Sequence, residues 1–174
     1  VVLPDLLAPG LKVVFCGTAA GTSSARRGVY YAGPGNKFWD VLHRVGLTPT
    51  RFAPEEYREL LRYGIGLTDL NKNQAGMDSR LQERHFDRDA LTEKIIRYGP
   101  KVLCFNGKRA AQAYYGSAGT GQFDYGRQPA AIGSTAVFVL PSTSAAAARW
   151  WDEGYWVEAA AYIKSLTLTG RNRS

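Results

Sequence analysis

Residues Lys12-Val13-Val14-Phe15-Cys16 form a run of β-formers that ends at Gly17 in a Gly-x-x-x-Gly turn, Gly17-Thr18-Ala19-Ala20-Gly21. Beyond it the chain opens into Thr22, Ser23 and Ser24, then Arg26 and Arg27, then the adjacent tyrosines Tyr30 and Tyr31. Such a stretch reads as a buried strand feeding a ligand loop, because glycines at a tight turn let backbone amides come close to a ligand. No Gly-Lys-Ser/Thr follows the turn, and its glycines are not spaced as in a dinucleotide fingerprint. On the glycines alone, a ligand turn and a plain structural turn stand level.

The pattern recurs. Residues 101–106 predict a second buried strand, followed by Gly107 and a helix over 108–115. Between the two strands, Asn36 can cap an amphipathic helix over 36–46 that turns Phe38, Leu42 and Val45 inward and closes at Gly46. Pro54, Glu55 and Glu56 begin a short helix over 54–62, where negative charge suits the first turn. A brief strand over 65–70 then has Asp69 at its exit. Residues 71–84 read as a surface loop, and 87–98 as a helix with Leu91, Ile95 and Ile96 inward. Residues 129–140 predict a β-hairpin about Gly133-Ser134, and 149–166 a last helix carrying Trp150, Trp151, Tyr155, Trp156, Ala160 and Ile163. Its tryptophans, at helical spacing, read as packing residues.

Strands alternating with helices imply an α/β fold, three layers α/β/α with a mainly parallel central sheet. Ligands of such sheets bind outside the carboxyl ends of the strands. Residues 18–21, Asp69 and its loop, Asn106-Gly107 and residues 141–148 should therefore converge on one cleft.

A chain of 174 residues suits one domain, 1–174, with ends 1–5 and 169–174 frayed. No apolar run reaches the ~18 residues that span a bilayer, and no signal-peptide pattern opens the chain, so a cytoplasmic protein with no membrane partner is expected. Cys16 and Cys104 sit in predicted strands as reduced core residues. No His/Cys grouping has zinc-ligand spacing, so neither metal nor cofactor is expected. The net charge of +7 and pI near 9.5 suit a polyanion partner such as nucleic acid, although solubility alone favours modest positive charge.

Several of these stretches carry a resemblance. Val14-Phe15-Cys16-Gly17-x-x-x-Gly21-x-Ser23-Ser24-Ala25, followed by Asn36-Lys37-Phe38-Trp39, resembles the first motif of the mismatch-specific uracil-DNA glycosylase and thymine-DNA glycosylase family within the uracil-DNA glycosylase superfamily. Pro9-Gly10-Leu11, Gly133-Ser134-Thr135, Leu140-Pro141 and Ser144 are similar too, so that the likeness runs from about Leu6 to Ile163. It implies a uracil-DNA glycosylase-like fold and a monofunctional enzyme acting as a monomer on double-stranded DNA. Such an enzyme flips uracil or another mispaired or damaged pyrimidine out of the duplex and hydrolyses its N-glycosidic bond, leaving an abasic site. The implied substrate is uracil opposite guanine, with a non-catalytic or very weak lesion-binding relative as the alternative.

The resemblance places Tyr31 at the stacking aromatic position, with Tyr30 as its competing neighbour. Base recognition falls to the main chain of Gly17, Thr18, Ala19, Ala20 and Gly21 and to Ser24 or Asn106, unranked. Ser142, Thr143 and Ser144 face DNA phosphates, with Ala145, Ala146 and Arg149 on the same edge; Arg26, Arg27, Lys108 and Arg109 are further candidate cations. Two departures stand out. An Asn-Pro pair that usually positions the attacking water is Ala19-Ala20 here, and the residue that plugs the vacated base stack falls on about Ala146, too small to fill the gap. A carboxylate can accept a proton from water and stabilise an oxocarbenium ion. Asp69, at a strand exit, is the candidate catalytic residue, with Asp78 in reserve; the competing role for Asp69 is to cap a turn.

Overall fold

The computed structural model describes residues 3–70, 81–116 and 122–170. Its single sheet is built from Val13–Gly17 (β1), Ile65–Asp69 (β2), Val102–Asn106 (β3), Gly126–Arg127 (β4) and Ala136–Leu140 (β5), in the order β2-β1-β3-β5-β4. The first four in that order run parallel and β4 pairs antiparallel with β5. Every residue of β1, β2, β3 and β5 is buried, as in a parallel sheet covered on both faces.

Alternation along the strands divides their side chains between two cores. Val13, Phe15, Leu67, Cys104 and Phe138 meet the helices Phe38–Arg44 (α2) and Glu153–Gly170 (α5) and the 3-10 helix Pro54–Tyr63. Val14, Cys16, Phe105, Val137 and Val139 meet Leu81–Tyr98 (α3) and Lys108–Tyr115 (α4). The expected three-layer α/β/α arrangement with a mainly parallel sheet is the one that forms. Cys16 and Cys104 lie on opposite faces, both fully buried, and burial pushes the Cys104 thiol well above its ordinary pKa. Among the described residues no helix is long and apolar enough to cross a membrane.

Several local expectations are corrected. A short helix, Thr22–Arg27 (α1), follows Gly21 where the sequence predicts a loop. Helix α3 starts at Leu81, inside the expected surface loop; residues 71–80, Asp78 among them, lie outside the described residues. Ile96 is 63% exposed rather than inward, because Leu91 and Ile95 already take the one-turn spacing that faces the sheet. The hairpin partner of β5 is β4, and the turn at Gly133-Ser134 closes only a single Ile132–Thr135 bridge.

The last helix begins at Glu153, after a separate 3-10 helix, Ala145–Trp150. Of its tryptophans, Trp156 is core and donates its Nε1–H to Pro141 O at 2.9 Å, whereas Trp150 is 57% exposed. At the other end of the chain, residues 3–5 are held rather than frayed. Leu3 is buried, the Tyr30 hydroxyl donates to Pro4 O, and Asp5 accepts from Thr68 Oγ1 at 2.6 Å and pairs with Lys94. Leu6 then bridges to Leu67 on the outer edge of β2.

Candidate active site

The four parallel strands end at Gly17, Asp69, Asn106 and Leu140, which the register sets along one edge of the sheet. The loops leaving that edge enclose a cleft of about 360 Å³, at the small end of ligand pockets. All the residues expected to bind the base, together with Asp69 and Ser142 to Ala145, line it. Ala146 and Arg149 do not, although they belong to the 3-10 helix that begins at Ala145 on its rim. Leu3, Ser23, Tyr30, Gly33, Pro34 and Asn36 line it as well. Of these, Leu3 had no signal in the sequence, since a contact between the chain's start and a loop after β1 leaves no local pattern.

Gly17 is required by close approach. A Cβ there would lie 3.0 Å from Asp69 Oδ1 and 3.4 Å from the Tyr31 hydroxyl, so a side chain would push between the two. Gly21 carries no such demand, for a Cβ there would meet nothing within 4 Å. Gly17 and Asp69 are register partners, and the Leu70 N–H donates to Gly17 O at 2.8 Å, which fixes how Asp69 leaves its strand. Asp69 is itself buried, 6% exposed.

Tyr31 has φ of 53°, the only left-handed backbone at a non-glycine residue among the described residues. The chain between Tyr30 and Tyr31 is therefore not extended, and the two rings do not simply alternate between core and cleft. Tyr30 is 2% exposed and anchored to Pro4 O, while the Tyr31 ring lies on Phe38 with 4.0 Å between centroids. Phe38 in turn meets Phe15 edge-on, and Phe15 stacks on Trp156. The Tyr31 hydroxyl is buried and lacks a hydrogen-bond partner. Burial and then the charge of Asp69 push its pKa well up, and the nearby Asn106 amide eases the shift without reaching hydrogen-bond geometry.

Asn106 is held in place by Thr143. Its Nδ2 donates to Thr143 Oγ1 and its Oδ1 accepts from the Thr143 N–H, both at 3.0 Å, a pairing that also fixes the amide's orientation. One amide N–H remains for a ligand. Thr143 is therefore corrected as a phosphate contact: it is 1% exposed and its hydroxyl is turned to Asn106. Ser24 Oγ accepts from the Ala32 N–H at 2.9 Å, so the hydroxyl that lines the cleft is orientated from behind.

At the rim, Ser142 Oγ accepts from the Ser144 N–H, and Ser144 Oγ caps the 3-10 helix by accepting from Ala146 N–H. Both hydroxyls keep a proton to donate. The Lys37 N–H bonds Thr143 O at 2.9 Å and closes the loop 33–37 against this segment. Arg149 lies in the last turn of the 3-10 helix, not at a helix start, with its guanidinium 4.6 Å from the exposed Trp150 ring. Arg27 pairs with Glu55 and donates to Ala32 O at the surface, where both side chains of the pair stay exposed. Lys108 lies over the Tyr125 ring. Among the described residues no group of three His, Cys, Asp or Glu could hold a metal ion.

Chemically, the cleft offers one buried carboxylate, a neutral hydroxyl, a fixed amide N–H and an aromatic face in a small space, which suits a planar polar ring and a hydrolytic step. A model of the uracil DNA glycosylase superfamily matches residues 4–164. Among solved structures, the chain is similar to the solution NMR structure of "a putative Uracil DNA glycosylase" from Methanosarcina acetivorans, with a TM-score of 0.61 and 22% identity. That match covers 94% of this chain and 97% of the other, so the two share the fold along their length.

Proposed function

The chain belongs to the uracil DNA glycosylase superfamily, and on that premise we propose that it is a monofunctional, mismatch-specific DNA glycosylase that removes uracil opposite guanine. The observation that carries the reading is the buried Asp69 carboxylate beside Gly17, lining a cleft sized for a single flipped pyrimidine. A base extruded into it stacks on the open face of Tyr31, whose other face rests on Phe38. The remaining N–H of Asn106 and the main chain of residues 17–21 reach its polar edge.

Hydrolysis then follows from the charge that develops. As the C1′–N bond breaks, its electron pair leaves with the base, and the sugar takes on oxocarbenium character that the Asp69 carboxylate stabilises. The water oxygen bonds to C1′, one of its protons passes to Asp69, and the departing base anion takes a proton from solvent. The sugar is left with a C1′ hydroxyl. Ala19 has no polar group to hold that water, which is why the carboxylate matters here.

DNA is held at the rim by Ser142, Ser144 and Arg149, and the net charge of +7 draws the phosphate backbone. A second reading, a lesion binder that flips bases and cuts poorly, has support in Ala146, whose methyl is too small to replace an extruded base. One experiment separates the two: excess protein with duplexes carrying uracil opposite guanine or adenine, followed by alkaline cleavage of abasic sites, for wild type and Asp69→Asn. Cleavage confined to the guanine mispair and lost in Asp69→Asn with affinity kept is the expected result. No cleavage of any uracil duplex by wild type would leave the lesion binder.

A further inference from the structure

We propose that the Tyr31 hydroxyl is the second anchor of the attacking water, holding it against Asp69 over the bare face of Gly17. Three features of Tyr31 converge on this role, which rests on the glycosylase reading and goes beyond Tyr31 as a stacking surface. Its hydroxyl is the buried side-chain polar atom left without a hydrogen-bond partner among the described residues, and it belongs to a residue that lines the cleft. An unsatisfied group of this kind is expensive to bury and marks a place where something else is meant to bind.

The position of that hydroxyl is specific. It and Asp69 Oδ1 both flank the spot where Gly17 lacks a side chain, at 3.4 and 3.0 Å from a Cβ that is not there. Together the two present an acceptor and a donor to the same spot, Asp69 Oδ1 on one side and the Tyr31 hydroxyl on the other. Hydroxyl and carboxylate are complementary partners for a water, since the hydroxyl can donate to a water lone pair while the carboxylate takes the proton. Burial and Asp69 keep the phenol protonated far above neutral pH, so it remains a donor throughout the working range.

The backbone supports the same conclusion. Tyr31 occupies the left-handed region, which an aromatic residue rarely enters, and such strain persists only where the surroundings impose it. Here the strain aims the ring along Phe38 and brings its hydroxyl to Gly17 instead of letting it point outward. The water site lost with Ala19 is thus rebuilt from two side chains, Asp69 from β2 and Tyr31 from the loop after α1. In the balanced step above, Tyr31 neither gains nor loses a proton; it orients the oxygen toward C1′, and so is a positioning residue.

The test is Tyr31→Phe, which keeps the ring and removes only the oxygen. Single-turnover excision of uracil by excess enzyme should slow about 10- to 100-fold, with DNA affinity unchanged and the pH–rate profile of the same shape. Thermal stability should stay equal or rise, because the unsatisfied hydroxyl is gone. The double variant with Asp69→Asn should be no slower than Asp69→Asn alone, as both act on one water.

Wild-type excision with equal excision by Tyr31→Phe would overturn the water role and leave the glycosylase standing. Weaker binding of the uracil duplex at an unchanged rate would also overturn it, making the hydroxyl a reader of the base. Absence of wild-type excision on every duplex would remove both readings together.

Discussion

Helices α2 and α5 cover one face of the sheet and α3 and α4 the other, yet only the first face reaches into the cleft. On that face Trp156 of α5 stacks on Phe15, Phe15 meets Phe38, and Phe38 backs the ring of Tyr31, a column of aromatic rings from the last helix to the site. Trp156 also grips Pro141, where the chain leaves β5 for Ser142. On the other face Leu91, Ile95, Ala110 and Ala111 pack on Val14, Cys16, Val137 and Val139, and none of these lines the cleft. The difference teaches that the same kind of core substitution has separable consequences: stability alone on one side, stability and site geometry on the other.

Leu91→Ala should give the largest change in stability, about 2–5 kcal/mol in denaturant titration, from lost burial and a cavity. Its excision rate per folded molecule should not change. Phe38→Leu should cost less, about 1–2 kcal/mol, yet slow single-turnover excision by at least about 10-fold because Tyr31 loses its backing. Equal slowing in both variants would abolish the distinction between the faces. Smallest in stability is Arg149→Ala, within about 0.5 kcal/mol for an exposed side chain, read instead from DNA binding. The slope of log affinity against log salt should fall by about 1; an unchanged slope would move the DNA face away from the 3-10 helix.

The sheet was legible because apolar runs end at Gly17 and Gly107, where side chains would collide with Asp69 and Ser142, and because helical spacing resumes after them. The convergence of Gly17, Asp69 and Asn106 followed from parallel strands alone. What escaped depends on partners far along the chain. Thr143 is turned inward by Asn106, 37 residues earlier, and no local pattern announces that pairing. The alanine run 145–148 has no period from which a 3-10 turn could be told from the start of α5. The left-handed backbone of Tyr31 was hidden because that conformation is normally signalled by glycine or asparagine.

The two cysteines open a practical route into the mechanism. Both thiols are sealed in opposite cores, out of reach of an alkylating reagent, and burial drives the pKa of Cys104 up as well. A single cysteine introduced at exposed Ala148 would be the one labelled, with no need to strip the natural pair. A fluorophore there would report the approach of a duplex in real time, on an otherwise unaltered chain.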